Sequence, residues 1–102
     1  VGGDEEFIVE ILQLYMDSSG PDVDALCKAA ESGRFEDVLR LAHTIKGASG
    51  NVGADAMMEM ASRVEQAAKD EDAERVKLEA SRVQSLFQTT VERIQQRLEG
   101  PT

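Results

Sequence analysis

Between Ala73 and Leu98 the apolar residues Val76, Ala80, Val83, Phe87, Val91, Ile94 and Leu98 are spaced only by threes and fours. An α-helix sets such positions on one side, whereas a strand would scatter them over both faces. A long helix with a single apolar stripe must bury that stripe against other elements. The rest of the chain is therefore expected to supply helices.

It does so in order. Phe7, Ile8, Ile11, Leu12 and Tyr15 predict a first helix from Asp4 to about Asp17, with acids at its positive end. Ser18-Ser19-Gly20 breaks the pattern, and Pro21 suits the first position of a second helix, where its missing N–H is not needed. That helix carries Val23, Leu26, Cys27 and Ala30 and ends at Ser32-Gly33. The third runs from about Arg34 to Val52, with Val38, Leu41, Ile45, Ala48 or Ser49, and Val52 inward and Gly53 closing it. A fourth, Asp55 to Lys69, buries Met57, Ala61, Val64 and Ala68, with Glu59 and Arg63 paired outside. Asp70-Glu71-Asp72 is an acidic turn, and Gly100-Pro101 stops the last helix. The expected fold is all-α: an antiparallel four-helix bundle with an additional N-terminal helix as a cap, formed by residues 1–102 as one domain.

Composition narrows the function classes. A net charge of -9, with no local basic stripe, argues against nucleic acid and against an anionic membrane surface. No apolar run approaches the ~18 residues of a membrane span, and the amino terminus has no signal-peptide pattern. A single cysteine, Cys27, gives no disulfide framework and fits a reducing, cytoplasmic setting. The opening Val1-Gly2-Gly3, without methionine, reads as a segment of a longer protein.

The only histidine lies in Ala42-His43-Thr44-Ile45-Lys46-Gly47-Ala48-Ser49-Gly50-Asn51-Val52-Gly53-Ala54. On a helix, His43, Lys46, Gly47 and Gly50 share a face that is wrong for a core: a titratable ring, a cation and two residues without side chains. Leu39, one turn earlier, is expected on the same exposed side as an apolar contact, and Arg40 with Lys46 makes the face locally less acidic than the whole. One histidine excludes a histidine-rich metal site, and no Glu-x-x-His pair is present. Asn51 stands where a nucleophile elbow needs glycine, and the glycines lack the Lys-Ser/Thr ending of a phosphate loop. What remains is a nucleophilic imidazole, with Lys46 to meet an anion on the ring, Gly47 and Gly50 to clear the approach, and Glu65 on the next helix to orient the ring. Each residue also has an ordinary reading: a solvated lysine, glycines for close helix packing, Glu65 paired with Lys69, and Met57, Met58 and Met60 as core filler.

Ala42-His43-Thr44-Ile45-Lys46-Gly47, followed by Gly53-Ala54, resembles the signature of histidine-containing phosphotransfer (HPt) domains of two-component phosphorelays. Helix order and length agree with that family from about Phe7 to Leu98. The resemblance implies a helical bundle in which His43 accepts a phosphoryl group from the aspartyl phosphate of a response-regulator receiver domain and returns it to another. It also implies that Lys46 stabilises the phosphate and Gly47 lets the receiver sit close, while Glu65 matches a position where some members hold a partner of the histidine. Such a protein is a carrier without turnover of its own. It has no intrinsic cofactor and binds no ATP, and magnesium is expected on the receiver. Two alternatives stay open: the substrate module of a chemotaxis-type histidine kinase, in the same or another chain, and a non-catalytic helical adaptor.

Overall fold

The computed structural model describes residues 2–100, with side chains from residue 5 onward. Four helices follow one another: α1 Gly2–Glu31, α2 Phe35–Asn51, α3 Asp55–Lys69 and α4 Ala73–Glu99. Turns of three residues leave consecutive helices no option but to run antiparallel. Each helix packs on its chain neighbours, and α4 closes the ring against α1.

The first two expected helices are one. α1 passes through Ser18, Ser19 and Gly20 and holds Pro21 in its interior, so there is no separate N-terminal cap helix. A proline inside a helix removes one backbone hydrogen bond and costs about 3 kcal/mol. What outweighs it is the unbroken phase of the buried positions on both sides: Met16, Ser19, Val23, Leu26 and Ala30 are all covered. A break at Ser18 would turn Tyr15 and Met16 away from that face. Packing thus overrides the local preference.

The three turns follow their chemistry. Gly33 and Gly53 take left-handed backbone, at φ 69° and 73°, where a side chain would be strained. In the acidic turn Glu71 adopts φ 52°, Asp72 accepts a hydrogen bond from the Arg75 backbone N–H at 3.2 Å, and Arg75 reaches back to Asp70 at 2.9 Å. Gly100 ends α4 at φ 70°; Val1 and Pro101 lie outside the described residues.

The core is made of small and branched residues. Val23, Leu26, Val38, Ile45, Met57, Val64, Val76 and Val83 are fully buried, with alanines 29, 42, 61, 67 and 68 letting the backbones come close. α1 and α4, at 30 and 27 residues, outrun α2 and α3, at 17 and 15. The long dimension is 48 Å against 20 and 19 Å across. Beyond Tyr15 the expected inner stripe therefore opens to solvent: Ile11 and Leu12 are half-buried, while Phe7 and Ile8 are exposed. The same holds along α4, where Val76, Ala80 and Val83 are buried and Phe87, Val91, Ile94 and Leu98 only partly so.

Candidate functional site

Val38, Leu41, Ala42, Ile45 and Ser49 form the buried stripe of α2, and this fixes its rotation about its axis. Ser49 is the inward residue at the position shared with Ala48, and its hydroxyl bonds the Tyr15 hydroxyl at 2.8 Å in the interior. Tyr15 also meets Phe87 edge-on, with ring centroids 6.0 Å apart, so one side chain ties α1 to both α2 and α4. Burial pushes the Tyr15 phenol above its ordinary range, and the hydrogen bond with Ser49 offsets part of that. This buried bond was missed in the sequence. Its signal was a serine on an apolar stripe, since a buried hydroxyl needs a partner.

With the stripe turned inward, His43 stands outward, its side chain 75% exposed. Glu65 reaches it from α3. Val64 and Ala68 are buried, and Glu65 lies at the edge of their stripe, nearly covered. Its two oxygens face two bases: Oε1 is 2.6 Å from Lys46 Nζ, and Oε2 is 3.6 Å from His43 Nδ1. The first is a close ion pair. The second is too long for a hydrogen bond but sets the carboxylate beside Nδ1 and leaves Nε2 on the far edge of an exposed ring. Glu65 thus pairs with Lys46, one turn from His43 on α2, and not with Lys69.

The other expected site residues divide. A β-carbon placed on Gly47 would meet nothing within 4 Å, so that side of α2 is open to an approaching body. At Gly50 it would stand 3.2 Å from the Met58 sulfur, so the missing side chain there makes room for α3. Arg40 is exposed and leans on Asp37 at 3.8 Å, a contact worth little in water. Leu39 is half-buried against the core, not on the exposed side as its position had indicated. The methionines separate too: Met57 is in the core, Met60 packs against it, and Met58 is exposed.

The face around His43 and Gly47 is open. Shallow grooves run elsewhere, along α1 and α4 between Val23 and Val91 and along α3 and α4 beside Met60 and Leu86. Among the described residues there is no group of three His, Cys, Asp or Glu placed to hold a metal ion, and no helix is long and apolar enough to cross a membrane. The arrangement offers an exposed imidazole with an anion behind one ring nitrogen and a cation one turn away.

The family model described as Hpt domain matches residues 10–98. No curated protein and no solved structure matches the chain.

Proposed function

Since the chain belongs to the Hpt domain family, whose role is histidine phosphotransfer in two-component signalling, we propose that His43 takes a phosphoryl group from the aspartyl phosphate of one receiver domain and passes it to another. The single observation that carries the assignment is the exposed imidazole with its Nδ1 turned to the Glu65 carboxylate. A carboxylate beside Nδ1 favours the tautomer that keeps its proton there, which leaves the Nε2 lone pair free to attack.

In that step the Nε2 lone pair forms a bond to phosphorus as the bond from phosphorus to the aspartyl oxygen breaks, and the carboxylate leaves with that electron pair. The ring keeps its Nδ1 proton and becomes cationic. Glu65, 3.6 Å away, offsets that positive charge, and Lys46 is within reach of the phosphoryl oxygens. Return of the group to a second receiver runs the same exchange backwards. The receiver contributes the acidic pocket and magnesium, and the carrier contributes the nucleophile and a flat face. On this reading the protein is a carrier rather than an enzyme and works in the cytoplasm, where a lone half-buried thiol such as Cys27 stays reduced.

The test is label transfer. Incubation with a phosphorylated receiver gives acid-labile, alkali-stable label on the wild type and none on His43→Gln. Equal labelling of the variant would sink the assignment. Partner binding that survives loss of the histidine, with no transfer at all, would favour the adaptor reading instead. Label that appears only with a kinase domain and ATP would favour the chemotaxis-type module.

A further inference from the structure

We propose that Met58, seated by Gly50, is the apolar contact through which the receiver recognises this carrier, a specificity-determining residue, whereas the sequence had pointed to Leu39 as the apolar contact. The inference rests on the carrier reading above and adds to it the chemistry of the partner's surface.

Two contacts fix the seam between α2 and α3: His43 with Glu65, and Gly50 with Met58. His43 and Gly50 are seven residues apart on α2, as are Met58 and Glu65 on α3. Seven residues are close to two helical turns, so all four positions fall on one strip, with the sulfur about 10 Å from the histidine along the helix axes. Between the two contacts lies Gly47, with open space above it. A body that covers His43 and lies flat over Gly47 therefore comes to rest on Met58. No other large apolar side chain on the strip is exposed: Leu39 is packed on the core, and Met57 is buried.

Met58 is 37% exposed, so part of it is available for contact while the rest lies against α2. The thioether fits a docking role, because an unbranched, polarisable side chain adapts to a partner's surface. Gly50 determines where it lies. Alanine is the better helix former at that position, but its β-carbon would meet the sulfur at 3.2 Å. The sulfur lies near the end of a flexible, unbranched chain, so it would move outward instead of disturbing the fold. The partner implied is a receiver with an apolar patch about 10 Å from its aspartyl phosphate.

The experiment uses the receiver that the phosphorylated wild type donates to fastest in a pairwise screen of receivers from the source organism. Labelling of His43 by phosphoramidate, a small donor that needs no docking, first shows that each variant retains its site. Met58→Gln then raises the KM of transfer about tenfold with kcat within twofold of wild type. Met58→Leu stays within threefold on both, and Gly50→Ala raises KM severalfold only while Met58 is present, with no effect added to Met58→Ala. Transfer by Met58→Gln with wild-type KM overturns the inference, as does Met58→Leu failing as badly as Met58→Gln. Wild-type protein that takes no label from phosphoramidate or from any receiver would remove the carrier reading itself, and this inference with it.

Discussion

One carboxylate at the site answers to two bases, and the arrival of a phosphoryl group changes the terms. Glu65 holds Lys46 at 2.6 Å while His43 stands at 3.6 Å. A phosphoryl group brings about -1.5 to -2 charges at neutral pH, so it competes with Glu65 for the ammonium. The two neighbours should then have separable effects. Lys46→Met slows labelling by phosphoramidate and shortens the lifetime of the phosphohistidine, each by roughly three- to tenfold. Glu65→Gln slows labelling to a similar degree through the tautomer but leaves the ammonium free, so its phosphohistidine lives as long as wild type or longer. Labelling time courses, followed by decay after removal of the donor, separate the two. His43, Lys46 and Gly47 were legible in the sequence because one turn of a helix carries them. The Glu65 contact was only inferable, since its reach depends on how α3 lies on α2. The partial exposure of Met58 was less legible: a methionine next to the inner stripe reads as core filler, and only the lie of α3 on α2 shows that Met57 goes inward while Met58 stays partly exposed beside Gly50.

At the scale of elements the informative case is α1. Ser-Ser-Gly-Pro spells a helix break by every local preference, yet the inward positions Met16, Ser19, Val23 and Leu26 keep helical phase through it. The competing signal was present in the sequence but spread over eleven residues, whereas the break was concentrated in four. The turns at Gly33 and Gly53 had no such competition, and α3 begins and ends where its pattern placed it. If packing carries Pro21 against its local cost, replacing it should release that cost. Pro21→Ala restores a backbone N–H to the ladder and is expected to raise the unfolding free energy by about 1–3 kcal/mol. Urea denaturation would show this as a higher midpoint at unchanged slope. A lower midpoint would mean that α1 needs the proline's constraint on the unfolded chain more than it needs the hydrogen bond.

For the whole molecule, the consequence of unequal helices is that four-helix packing ends near Tyr15 and only α1 and α4 continue. Fold class and turns were readable from pattern, but relative lengths were not, because the stripe of α4 is equally regular where it is covered and where it is not. Tyr15 sits where the covered part ends and joins three helices through Ser49 and Phe87. The fold prefers its neutral phenol, since burial raises its pKa more than the Ser49 hydrogen bond lowers it. The native state therefore binds its proton more tightly than the unfolded chain. The stability this preference provides is complete below the unfolded value of about pH 10 and is lost as pH rises above it through the raised native value. Cys27, also raised by burial and then by the charges of Asp24 and Glu31, gives a loss of the same sign that begins lower, near pH 9. Comparing wild type with Tyr15→Phe cancels the cysteine. At pH 7 the variant should be less stable by about 1 kcal/mol, because the Ser49 hydroxyl loses its buried partner. Above pH 10 the wild type should fall towards the variant and the difference should close. Urea midpoints from pH 7 to 11 measure it, and a gap that stays constant across that range would show that Tyr15 does not couple the end of the bundle to pH.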